Sequence, residues 1–247
     1  MVENENTIIL DTSTAHRTEA GWAYGYPELS AAHREAIRTG KRIAVPGCYA
    51  TGFITTAYAL VAGGILPKDY PVSAFAVSGY SGGGKKMIAQ YQAQDKEKEL
   101  SSARLYALSQ SHKHLKEMKA ISGLERTPLF SPMVTDYYSG MTVSLTFYAD
   151  MLNGRQTPET VREYLAKHYA GEKFITVQPL GAEAESGGVL FSSARSGWDG
   201  LEIYVTGNED RIMVTTRFDN LGKGASGAAI QCMNIVLGCE EDKGLTV

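Results

Sequence analysis

The 247 residues carry 24 basic and 27 acidic side chains, a formal charge of −3, with 43% hydrophobic and 21% charged positions. That composition excludes a collagen-like, low-complexity or disordered chain, and its balance leaves no electrostatic footprint for nucleic acid or an anionic membrane. There is no 18-residue apolar span, the polar opening MVENENTIIL reads as no secretory signal, and three cysteines without CxxC spacing point to reduced thiols in a cytoplasm.

Thr7 to Leu10 reads as a short buried strand ending at Asp11. Ala31 to Thr39 reads as a helix, with Ser30 as its N-cap and Gly40 past its last turn. Lys41 to Val45 is a second strand, closed by Pro46-Gly47. From Cys48 a helix apolar on all sides runs to Gly63-Gly64, the pattern of a buried helix. Val72 to Ser78 alternates as a strand and empties into the glycine-rich turn Gly79 to Gly84, with a helix starting near Lys85. Further strands fall at 104–108, 141–148, 173–177, 201–206 and 211–218. Thr157-Pro158-Glu159 caps a helix, and the turn Asn220 to Gly224 opens a last helix from Ala225 to Leu237. The opening 45 residues look α/β and the second half α+β.

Cys48 stands at a strand, turn and helix junction. There backbone N–H groups and the helix dipole favour thiolate, the nucleophilic form; the alternative is a small buried core cysteine. Cys232 and Cys239, seven apart, read as one packed face of a helix, and no metal site is expected. His112 and His114 sit where a strand ends and supply an acid/base partner; otherwise they are surface histidines entering a solvated helix with Lys113, Lys116, Glu117 and Lys119. His33 and His168 read as structural. SGYSGGGKK, from Ser78 to Lys86, suggests an anion nest, or else a flexible turn.

Jointly, several motifs resemble the N-acetyl-gamma-glutamyl-phosphate reductase family, and more closely its shorter variant. They are PGCYATG at Cys48, SGYSGGGKK from Ser78, His112-Lys-His114 with Glu117-Met118, DNLGKGASGAAIQCMN from Asp219, DTSTAHR from Asp11 and YGYPEL from Tyr24. Ala59 and Ala15 depart from the commoner residues of that family. The resemblance implies an α+β fold: a mixed catalytic domain of the glyceraldehyde-3-phosphate dehydrogenase-like type, with the residual edge of an α/β Rossmann domain. It implies a remnant of the NADP-binding domain at residues 1–47, completed by 219–247, and a catalytic and oligomerisation domain at 48–218.

The same resemblance implies that NADPH reduces N-acetyl-glutamyl 5-phosphate to the 5-semialdehyde through a thioacyl intermediate. Cys48 is then the nucleophile and His112 the acid/base group. Arg17 and His114 contact the acyl-phosphate substrate, while Ser78, Gly79, Ser81, Gly82, Gly84 and Asn220 border NADP. Like subunits associate through the catalytic domain. Family members open with a βαβ unit bearing a glycine fingerprint, and the few residues before Thr7 leave no room for one; impaired turnover is therefore expected. Alternatives are a non-catalytic remnant serving subunit association, the homologous lysine-pathway reductase, and a cofactor-free cysteine acyltransferase.

Overall fold

Three short strands, Ile9–Asp11 (β1), Ala23–Tyr24 (β2) and Arg42–Ala44 (β3), form a parallel sheet in the order β1-β3-β2. The computed structural model describes residues 4 and 6–247; residues 1–3 and 5, part of the opening read as no secretory signal, lie outside them. Helix Ala31–Thr39 (α1) starts where Ser30 Oγ accepts the His33 N–H, satisfying one of the orphan donors of a helix start. The final helix, Gly227–Val236 (α6), comes from the other end of the chain to pack on α1 and β1. Ile37, Ile43, Cys232 and Ile235 close a small core between them. Cys232 is thus a packing residue. Cys239 is not on the same helical face: α6 stops at Val236, and the Cys239 N–H donates to Asn234 O at 2.9 Å in the turn beyond.

The larger sheet holds Ser73–Gly79 (β4), Arg104–Leu105 (β5), Leu129–Thr135 (β6), Met141–Tyr148 (β7), Ile175–Val177 (β8), Leu201–Gly207 (β9) and Arg211–Phe218 (β10). Their order is β5-β6-β4-β7-β10-β9-β8, antiparallel except for the β4–β6 and β8–β9 pairs. The sequence reading names no strand at 129–135; Pro132 sits inside β6, and proline cannot donate to a ladder. Pro132 is tolerated because the N–H and C=O of a strand residue point the same way. Its carbonyl accepts the Tyr106 N–H, so the missing donor faces the short edge strand β5 rather than β4.

Helix Cys48–Ala62 (α2) is buried over most of its length and crosses this sheet at Gly52, where a Cβ would stand 2.6 Å from Val143 Cγ2. Thr51 and Thr55 keep it apolar outside by bonding back to Gly47 O and Thr51 O. Leu115–Ser122 (α4) and Pro158–His168 (α5) flank α2, the latter opened by a reciprocal Thr157–Thr160 capping box. Gly84–Gln92 (α3) follows a 3-10 turn at Tyr80–Gly83. The helices cover one face of the large sheet; on the other, Phe75, Leu129, Tyr148 and Met213 are exposed. The result is a mixed α+β unit carrying an α/β edge. No helix among the described residues is long and apolar enough to cross a membrane.

Candidate active site

The two sheets meet at a pocket of about 330 Å³, and all ten residues singled out from the sequence line it: Arg17, Cys48, Ser78, Gly79, Ser81, Gly82, Gly84, His112, His114 and Asn220. Geometry brings Cys48 there through β3. The Val45 N–H donates to Asp11 O at 2.8 Å, Pro46-Gly47 turns the chain, and Gly47 in extended conformation caps α2 with Cys48 as its first residue. Gly47 has to be glycine, since a Cβ would lie 2.5 Å from Arg17 Nη1 and nearer still to His114 Nε2.

The resting thiol differs from the low-pKa thiolate that its helix position suggests. Burial pushes the Cys48 thiol up to about 11, outweighing the Tyr49 N–H, Lys113 and Arg17, which all favour the anion. Cys48 keeps partial access to the pocket, but the helix end is too weak a field to compensate for the solvation its sulfur loses to the surrounding atoms.

Both histidines are neutral. Burial holds His112 down to about 4, with Lys113 adding to the effect. Burial, His112 and two cations take His114 to about 2. The His114 backbone N–H donates to His112 Nδ1 at 3.2 Å, so His112 carries its proton on Nε2, the nitrogen left for the pocket. His114 is 4% exposed and its Nδ1 has no partner. His112 lies edge-on to Tyr49 and Phe130, with ring centroids 5.7 and 5.2 Å away.

Arg17 reaches the pocket already engaged. Nε donates to Val45 O at 2.9 Å, Nη2 to Thr12 O at 2.8 Å and Nη1 to Glu117 Oε2 at 3.0 Å. Two of its five N–H groups remain outside these three bonds. Glu117 settles against the solvated-helix alternative. Grouped there with lysines on a solvated face, it is 3% exposed, and its Oε1 accepts the Gly47 N–H at 3.0 Å and the Tyr24 hydroxyl at 2.8 Å. It ties the small sheet, the start of α2 and the histidine segment together; the resemblance had marked Glu117 as part of a motif but gave it no role.

The glycine-rich turn is only partly an anion nest. The N–H groups of Gly79, Tyr80 and Ser81 donate to Gly140, Tyr137 and Tyr138 carbonyls, and those of Gly82, Gly83 and Gly84 are turned inward in the 3-10 turn, Gly84's onto Ser81 O, so only the first turn of α3 at Lys85 and Lys86 is left for an anion. Asn220 is also largely spent: Oδ1 accepts the Gly140 N–H and Nδ2 donates to Ser81 Oγ, both at 2.9 Å. It braces the turn and retains one N–H for the pocket. One GxGxxG spacing does occur, Gly222-Lys-Gly-Ala-Ser-Gly227, which escapes the sequence reading. It follows the antiparallel strand β10, and its first five residues form a π-helical turn whose N–H groups bond to Asp219 and Leu221, so it is not a dinucleotide fingerprint. A space of this size takes one end of a dinucleotide rather than the whole of it, and the donors left along the glycine turn are the Asn220 amide and the first turn of α3. Among the described residues no group of three His, Cys, Asp or Glu stands together for a metal.

Residues 48–220 match a family model described as the semialdehyde dehydrogenase dimerisation domain. The chain is 40% identical to N-acetyl-gamma-glutamyl-phosphate reductase 2 of Nostoc sp., over 99% of this chain and 79% of that protein. It is 43% identical to N-acetyl-gamma-glutamyl-phosphate reductase of Brucella ovis, over 96% and 78%. Among solved structures, aspartate semialdehyde dehydrogenase from Francisella tularensis superposes with a TM-score of 0.71 at 14% identity, covering 93% of this chain and 74% of that one. Aspartate semialdehyde dehydrogenase II from Vibrio cholerae gives 0.70, again at 14% identity, over 94% and 72%.

Proposed function

Because this chain belongs to the N-acetyl-gamma-glutamyl-phosphate reductase family, we propose that it is an oxidoreductase converting N-acetyl-L-glutamyl 5-phosphate to N-acetyl-L-glutamate 5-semialdehyde in arginine biosynthesis. The named relatives favour this substrate over its lysine-pathway homologue. The observation that carries the reading is the meeting of one thiol, two neutral imidazoles and a partly free guanidinium in a single pocket at a helix start.

Cys48 attacks the acyl carbon, the carbon–oxygen bond to phosphate breaks, and a thioester forms. The thiol proton leaves with the departing hydrogen phosphate, so the step balances without a resting thiolate. His112 is the acid/base partner; in its resting state it offers Nε2–H to the carbonyl oxygen as negative charge develops there. Arg17 and His114 hold the anionic end of the substrate. NADPH, when bound, supplies the hydride that reduces the thioester. Ser78, Gly79, Ser81, Gly82, Gly84 and Asn220 flank its nicotinamide end. The thiohemiacetal on Cys48 then collapses, releasing aldehyde and restoring the sulfur.

Residues 1–47 with 219–247 form the nucleotide side and 48–218 the catalytic and oligomerisation side, the chain working as a homo-oligomer. The exposed apolar face bearing Phe75, Leu129, Tyr148 and Met213 supports that assembly. The deciding assay follows NADPH appearance from N-acetylglutamate semialdehyde, NADP and phosphate, and a separate nucleotide-free incubation with the acyl phosphate uses mass spectrometry to look for an acylated Cys48. Acyl-enzyme that disappears in Cys48→Ser supports the reading; an intact chain that never acylates at Cys48 overturns it. Acylation without nucleotide turnover assigns the loss to cofactor binding.

A further inference from the structure

The segment that delivers His112 leaves its strand in a distinctive way. β5 runs antiparallel to β6, with Arg104 opposite Val134 and Leu105 opposite Met133, and the Tyr106 N–H still donates to Pro132 O at 3.2 Å. Continued in that register, Leu108 would face Phe130. The chain turns away instead. Ala107 and Gln110, the non-glycine residues with positive φ among those described, take values of 52° and 56°, and the Gln110 N–H donates to Ala107 O at 3.0 Å. Leu108 is left 77% exposed.

The vacated place on β6 is filled by a side chain. Gln110 Nε2 donates to Phe130 O at 2.8 Å, and Gln110 Oε1 accepts the Phe130 N–H at 2.9 Å. A carboxamide presents the same donor and acceptor as a peptide group, so it completes the ladder while freeing the main chain. Two residues later the His112 ring rests on the same Phe130, and on Tyr106 at 5.8 Å. Left-handed backbone at a glutamine is costly and persists only where surrounding contacts enforce it. Here the enforcing contact is the clamp on Phe130.

We propose that Gln110 is a positioning residue: by substituting its side-chain amide for a strand residue opposite Phe130, it releases residues 111–114 from the sheet and holds the His112 ring in the Cys48 pocket. It touches no substrate. The inference rests on the role given to His112 above, and the test keeps the two apart.

Gln110→Met preserves volume and removes both bonds; Gln110→Glu keeps the acceptor for the Phe130 N–H but turns charge on the Phe130 carbonyl. Each is compared with the unaltered chain in three measurements: Cys48 acylation by p-nitrophenyl acetate, nitrogen chemical shifts of labelled histidine, and thermal midpoint. The expected result is acylation about 10- to 100-fold slower at saturating ester with half-saturation within about twofold, and His112 shifts that leave the Nε2–H pattern for an averaged one. Unmoved His112 shifts and an unchanged acylation rate overturn the proposal, whatever the thermal midpoint does. If the unaltered chain does not acylate, the reading of the site fails. The shifts then still decide Gln110: averaged signals in Gln110→Met support the clamp and unmoved ones refute it.

Discussion

On the Cys48 side of the pocket, neighbours fill the places that glycines leave open. A Cβ at Gly47 would collide with Arg17 and His114, and one at Gly224 would lie 2.9 Å from Cys48 Cβ. Across the pocket, a Cβ at Gly82 would stand 3.5 Å from Asn220 Nδ2 and Ser78 Oγ, and one at Gly84 would meet nothing within 4 Å. The thiol side is tightly packed, and burial drives Cys48, His112 and His114 to their neutral forms while Arg17 and Glu117 meet as an ion pair. The glycine-turn side is mixed: Gly82 and Gly84 stand exposed with room beside them, whereas a Cβ at Gly79 would lie 2.5 Å from Tyr138 O and one at Gly83 would strike Met87. In the proposed reaction the chemistry would thus sit against the more tightly packed wall, with the ligand approaching the exposed Gly82 and Gly84 opposite.

The largest consequence falls on the sulfur. Cys48→Ser is expected to lower acyl transfer by at least roughly 1,000-fold while leaving the thermal midpoint within about 2 °C, because a hydroxyl in a water-poor site is a far weaker nucleophile. Measuring ester acylation and a melting curve on one preparation checks both halves. Gly47→Ala comes next. The new methyl must displace the His114 ring or the Arg17 guanidinium, and a shift of about 1 Å at reacting groups costs roughly 100-fold. Steady-state rates corrected for folded fraction test it; a rate within threefold of the unaltered chain would show that this wall yields after all.

What the sequence disclosed follows the same division. Local chemistry announced α1, α2 and α5, since Ser30, Gly63 and Thr157-Pro158 act on their own helices whatever surrounds them. The convergence of Cys48, His112 and the glycine turn was legible as a set of motifs. The state of those residues was not. Whether Cys48 is ionised depends on the solvation it loses, and whether Arg17 is free depends on Glu117, 100 residues away. The side of β6 on which Pro132 lacks its donor, and the use of the Gln110 side chain as a strand partner of Phe130, are both tertiary facts with no local signal.

Packing on the thiol side also sets an acid limit on stability. Unfolded histidines take up protons as pH falls through about 6.5, whereas folded His114 and His112 resist until about 2 and about 4. The unfolded state binds more protons throughout that window, so stability is full above pH 6.5 and is lost as pH drops below it. His114, almost wholly buried, accounts for about 2 kcal/mol of loss by pH 5; His112 is partly exposed and adds less. Denaturant midpoints at pH 7 and pH 5 measure this, and His114→Gln should flatten the difference. Equal slopes in the two proteins would mean that water reaches the ring.

The smallest effect separates the two walls most cleanly. Gly82 has no positive φ to protect and its added Cβ would make only ordinary contacts, so Gly82→Ala should move the thermal midpoint by no more than about 2 °C, equivalent to roughly 0.5 kcal/mol. Its cost belongs to the ligand instead: about a threefold rise in KM for NADPH, as a methyl narrows the approach to Asn220. If alanine at 82 destabilises the fold as much as alanine at 47, then the glycine turn is as tightly packed as the thiol wall. Its exposed backbone would then be a consequence of turn geometry rather than a place prepared for a cofactor.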